Sequence, residues 1–144
     1  MRVFLGGTIN GSTWRNSLIP MLERAGIEYF NPVVENWTEE ARKTEELEKM
    51  RAEIRLYTLT PKMTGVFSIA EIVDDSNKFP NKTLCLSIEN DGGEIYTAAQ
   101  YKSITSVFKL IEKNGVTVFR DMTSLVEFMN NWKTRPVKLG FGGW

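Results

Sequence analysis

The sequence predicts an α/β fold: a single-domain, flavodoxin-like (Rossmann-like), doubly wound five-stranded parallel sheet. Two observations carry this expectation. Short apolar runs alternate with helical patterns along the whole chain. Most runs end in glycine, proline or a small polar cluster, where a strand hands over to a helix. Such a succession implies right-handed crossovers and a sheet covered on both faces.

Taken in order, RVFLGG (2–7) reads as a buried strand stopped by two glycines. WRNSLIPMLERAG (14–26) places Leu18, Ile19, Leu22 and Ala25 at helical spacing and ends at Gly26, with Pro20 as a possible bend. IEYFNP (27–32) is the second strand. Thr38 or Thr44 then caps a charged helix running to about Arg55, with Leu47, Met50 and Ile54 as its apolar side. IRLYTLTP is the third strand, closed by Pro61. A helix follows over about 66–76, striped by Val66, Ile69, Ala70 and Val73. KTLCLSIEN is the fourth strand and IYTAAQYKSITSVFKLIEKNG a long helix ended by Gly115. VTVFRD is the fifth strand and SLVEFMNNW the last helix. The domain is expected to span 1–135, with RPVKLGFGGW contributing an irregular tail over 136–144.

The chain has 144 residues, enough to bury a core without disulfide staples. Eighteen basic residues balance 18 acidic ones, which gives no reason to expect nucleic acid as partner. No apolar run approaches a membrane span, and MRVFLGGT reads as a strand rather than a leader. The single cysteine, Cys85, sits in an apolar run as a buried thiol, so a reducing cytoplasmic setting is expected. The chain contains no histidine. That excludes Ser-His, Cys-His and His-ligated zinc chemistry. Carboxylates, hydroxyls, backbone amides or a cofactor must carry any reaction near neutral pH.

Ligands of such folds bind outside the carboxyl ends of the strands. GGTINGSTW, NPVVENW and PKMTGVFSIAE all fall there. GGTINGS resembles a phosphate cradle, but it is neither the dinucleotide fingerprint, since Thr8 replaces a required glycine, nor a P-loop. A plain turn remains open beside that reading. Glu71 has two readings as well. Ser68-Ile-Ala-Glu71 fits a capping box; alternatively the helix starts earlier and Glu71 stands in its second turn, facing the strand ends. Glu46 or Glu45, on the acidic helix, is placed to supply a second carboxylate, and paired carboxylates are the usual means of cleaving a glycosidic bond. Asp74 with Asp75, and Glu89 with Asp91, read as solvated charges rather than metal ligands. Trp14, Trp37 and Tyr57 are each placed either to stack a base or to pack.

In that order and spacing, RVFLGGTINGSTWR, YFNPVVENW and LYTLTPKMTGVFSIAEIV resemble the nucleoside 2-deoxyribosyltransferase-like family, chiefly over residues 2–76. The resemblance implies a flavodoxin-like fold, no cofactor, and Glu71 as the nucleophile that attacks C1′ of a 2′-deoxyribonucleoside or its 5′-monophosphate. The sugar then passes to another base or to water. It also implies an acidic partner, matched to Glu46 with Glu45 still open, and contacts to the sugar and any 5′-phosphate from Gly6, Gly7, Thr8 and Ser68; of the aromatics, Trp37 is the one counted with these substrate-binding residues. Some members carry a carboxylate where this chain has Gly65. The family completes its pockets across subunits, so a homo-oligomer is expected, with the tail a candidate contributor. Two rival classes stay open: a nucleotide-derivative binding or sequestering protein of the same fold, and a purely structural partner.

Overall fold

Strand β1 (Arg2–Gly7) buries Val3, Phe4 and Leu5 as an inner strand of a five-stranded parallel sheet, next to one edge strand. The computed structural model describes residues 1–9 and 11–134. The expected tail, 136–144, lies outside the described residues. After β1 come α1 (Trp14–Arg24), β2 (Glu28–Phe30), α2 (Glu39–Arg51), β3 (Ile54–Leu59) and α3 (Phe67–Lys78). A short 3-10 turn (Pro80–Lys82) leads into β4 (Thr83–Ser87), a small antiparallel hairpin of β5 (Asn90–Asp91) and β6 (Glu94–Ile95), α4 (Ala98–Lys113), β7 (Thr117–Phe119) and α5 (Met122–Thr134).

The sheet order is β2-β1-β3-β4-β7. Apart from the hairpin this is the flavodoxin-like order, as expected from the alternation of strands and helices. The chain moves outward from β1 to β2, then returns past β1 to β3, in register from Val3 opposite Ile54 to Gly7 opposite Thr58. The direction of winding therefore reverses between β1 and β3, which opens a crevice at their carboxyl ends.

All six residues of β3 are buried because both faces of the sheet are covered. Ile54 and Leu56 join Val3, Leu5, Leu84 and Leu86 on the face packed by Trp14, Leu18 and Leu22 of α1 and Leu125 and Met129 of α5. Tyr57, Leu59 and Cys85 turn to the other face, against Ile72 of α3 and Ile104, Phe108 and Ile111 of α4. Leu18 and Leu22 are fully buried, each worth roughly 2 kcal/mol. Burial also pushes the Cys85 thiol well above its usual pKa, consistent with a packing residue.

The structure departs from expectation in three places. α2 is capped by Thr38, which accepts from the Ala41 amide, but it stops at Arg51 and buries no residue. Ile54 belongs to β3, while Leu47 and Met50 are 45% and 72% exposed. They do not pin the helix to the core. Second, the stretch beyond β4 turns back on itself. Gly92 and Gly93, at φ 61° and 93°, make the hairpin turn, and α4 begins only after Thr97 and Gln100 have formed a capping box. Third, Ser68 lies inside α3, whose N-cap is Val66 with no side-chain cap bond. The Ser68–Glu71 capping box does not form.

Candidate active site

The first loop leaves β1 through Gly7, at φ +115°. A Cβ there would stand 2.1 Å from the Thr58 carbonyl oxygen, so only glycine lets the two strands approach this closely. Gly6 is more tightly flanked by side chains, with a Cβ position 3.0 Å from the Tyr57 ring. Its lack of a side chain serves packing between β1 and β3.

Beyond Gly7, Thr8 donates its amide to the Thr58 carbonyl at 2.9 Å, and its hydroxyl oxygen accepts from the Thr60 amide at 3.2 Å. The Thr8 carbonyl accepts from Trp14 Nε1 and from Arg15 Nη1, both at 2.8 Å. Arg15 is buried and also donates to the Leu5 carbonyl from Nη2 at 2.9 Å. Burial lowers its pKa to about 10, against an upward pull from Glu45, so it remains a cation at neutral pH beneath the loop. Asp91 tethers the same loop from the hairpin side. Its Oδ2 accepts from Ser12 Oγ at 2.5 Å and from Thr60 Oγ1 at 2.7 Å. Asp91 is therefore a buried clamp, contrary to the expectation of a solvated charge. A notch of about 250 Å³ opens beside this frame, lined by Gly7, Thr8, Met63, Gly65, Phe67 and Ser68 among others.

Phe67, 74% exposed, also borders a larger cleft of about 770 Å³ between α2 and α3. Trp37, Glu45, Glu46, Lys49 and Glu71 line this cleft. Of the aromatics weighed from the sequence, Trp37 is 60% exposed, whereas Trp14 and Tyr57 belong to the core.

Glu71 is the fifth residue of α3, half-buried at the cleft. Lys49 Nζ, from α2, donates to Glu71 Oε2 at 3.0 Å and lies 3.5 Å from Asp75 Oδ2. Asp75 accepts from Arg55 Nη1 at 2.9 Å and from the Tyr57 hydroxyl at 2.5 Å. Asp75, too, was expected in solvent and is buried. Four charges thus alternate in sign, from Glu71 through Lys49 and Asp75 to Arg55. Asp74 pairs with Lys78 at 3.0 Å, and Glu89 with Arg120 at 3.5 Å. Among the described residues no cluster of three or more His, Cys, Asp or Glu side chains is placed to hold a metal ion.

The two candidate acids on α2 differ. Glu46 is exposed and accepts from Arg42 Nη1 at 2.6 Å. Glu45 is half-buried, and its carboxyl is held above the usual carboxylate range, first by burial and then by the charge of Glu71. Lys49 and Arg15 pull it the other way without cancelling the shift.

The structure thus brings Glu71, Glu46, Glu45 and Trp37 to one cleft, and Gly7, Thr8 and Ser68 to the adjoining notch. Gly6 lies beneath, against Tyr57. Lys49, Asp75 and Arg15 were missed from the sequence. A signal existed for two of them, since Glu45 and Lys49, and likewise Glu71 and Asp75, stand four apart on their helices and so share a face.

The fold and the cleft define a doubly wound α/β protein with a carboxylate-lined cleft between α2 and α3 and a smaller notch beside the end of β1. Residues 1–71 match the model of a family described as nucleoside 2-deoxyribosyltransferase like. The match supports the family read from the sequence, and the all-parallel sheet is consistent with that family's fold. No curated protein matches the chain.

Proposed function

We propose that this protein cleaves the N-glycosidic bond of 2′-deoxyribonucleosides or their 5′-monophosphates through a deoxyribosyl ester on Glu71. The observation that carries this reading is the pair Glu71 and Glu45 at one cleft, with the Glu45 carboxyl biased toward its protonated form. Two carboxyl groups in unlike environments can divide the roles of nucleophile and acid in one reaction.

In the first step a Glu71 carboxylate oxygen bonds to C1′ as the bond to the base breaks. The bonding electron pair leaves on the base nitrogen, and Glu45 donates the proton that neutralises it. In the second step a new base, or water, attacks C1′ and releases the Glu71 carboxylate, while Glu45 takes up a proton from the nucleophile. We assign the acid role to Glu45 rather than Glu46 because Glu46 is exposed and engaged by Arg42. Trp37 and Phe67 offer exposed ring faces to a base, and the notch with Gly7, Thr8 and Ser68 offers room for the sugar end.

A 2′-hydroxyl withdraws electrons from the oxocarbenium-like transition state, so deoxy substrates should react ahead of ribo forms. The test is a panel of deoxy- and ribonucleosides and their 5′-monophosphates, with and without acceptor base, following free base. Release from the deoxy forms, well ahead of the ribo forms, is expected. No release from any member overturns the reading. A second reading, a protein that binds a nucleotide derivative without turnover, draws on the ion pair between Lys49 and Glu71, which occupies one oxygen of the would-be nucleophile. Saturable binding without base release favours it.

A further inference from the structure

Lys49 sits on a helix that buries nothing, yet it reaches across the cleft to two carboxylates of α3. Its Nζ is also 5.3 Å from the centroid of the Tyr57 ring. The far end of the network is fixed. The Asp75 and Arg55 side chains are only 4% and 7% exposed, and Tyr57 holds the second Asp75 oxygen. Burying such charges seldom stabilises a protein relative to apolar packing, but it does fix where each group points.

We propose that Lys49 is a positioning residue for Glu71. By binding Oε2 it fixes the carboxylate and turns Oε1 toward the cleft for attack. Asp75, braced by Arg55 and Tyr57, holds the ammonium in place. The inference rests on Glu71 being the nucleophile. Glu71 contacts Lys49 from α2 and bears electrostatically on Glu45 of α2 and Tyr57 of β3, while Asp75 of its own helix shares the same lysine. Among them Lys49 is the cation in direct contact.

The test measures single-turnover formation of the deoxyribosyl adduct on Glu71, by mass spectrometry. In Lys49→Met the adduct should form roughly 100-fold more slowly, because Glu71 is no longer held in place. Lys49→Arg, which keeps the charge, should recover much of the rate. Glu48→Gln serves as the structural control, since it releases the other tie of α2, the 3.3 Å pair with Arg2, without touching Glu71. An unchanged adduct rate in Lys49→Met overturns the proposal, as does no recovery in Lys49→Arg or an equal loss in Glu48→Gln, which would make Lys49 a mere tether. Base release by the wild type with no adduct on Glu71 removes the nucleophile reading itself, and this inference with it.

Discussion

Glu45 and Glu71 stand on facing helices at one cleft, and the charge on Glu71 is second only to burial in raising the Glu45 carboxyl above the usual carboxylate range. This relationship makes the first prediction one of pH. A carboxyl with a raised folded-state pKa contributes stability below its unfolded value and loses that contribution as the pH rises through the folded value. Glu45→Gln, which cannot ionise, should therefore be at least as stable as wild type at pH 7, with the difference vanishing in acid. Its activity should be low and should lack the alkaline limb that wild type shows as Glu45 ionises. Thermal melts and kcat/KM across pH check both statements. An unchanged alkaline limb would remove Glu45 as the acid.

Gly7→Ala should destabilise the fold by about 3 kcal/mol, because φ +115° strains any side chain and the new Cβ meets Thr58 backbone. In a chain of this size that lowers Tm by roughly 10 °C. Gly11→Ala, also at positive φ but with open space around it, should cost about 1 kcal/mol. Gly65, with neither restriction, should accept alanine with a change within about 0.5 kcal/mol. Equal melting of the three variants would contradict the account of the first loop.

Helix α2 buries no residue and is tied by ion pairs of Arg2 with Glu48 and of Lys49 with Glu71 and Asp75. Around the cleft Trp37, Leu47, Met50 and Phe67 remain exposed. We expect a second copy to cover part of this surface, as a family with shared pockets implies. Light scattering should then give a homo-oligomer, and α2 amides should lose exchange protection on dilution. Met50→Glu should weaken the assembly. A fully active monomer at micromolar concentration would exclude it.

The fold was legible because each strand's apolar run and terminator act locally, as at RVFLGG and IRLYTLTP. α2 was misread for a physical reason. Leu47 and Met50 give the same periodic signal whether the protein's own sheet or nothing covers them. The β5–β6 hairpin had a local signal in Asp91-Gly92-Gly93 that the longer helical pattern overrode. At the site, Glu71 stood out because a strand end and a small-residue turn lead to it. Its contact with Lys49 lay hidden, since the two residues are 22 apart and meet only after β3 brings α2 and α3 together. Choosing between Glu45 and Glu46 likewise required knowing which side of α2 faces Glu71.

The last prediction concerns Glu71 itself. With Val66 as N-cap and Glu71 in the second turn, the residue owes nothing to capping, so Glu71→Gln should leave the start of α3 intact. The amide oxygen still accepts from Lys49, while the partly exposed ion pair is lost. Stability should change by about 1 kcal/mol or less. Chemistry is different, because a carboxamide does not form the sugar ester. If covalent catalysis operates, the variant should lose several orders of magnitude in rate. Its circular dichroism and melting should remain close to wild type, which separates a lost nucleophile from a lost fold. In the wild-type reaction, quenched early, a deoxyribosyl adduct should map to the peptide containing Glu71 and be absent from the variant. An active Glu71→Gln protein, or an adduct on Glu45, Glu46 or Asp74, would transfer the role elsewhere in the cleft.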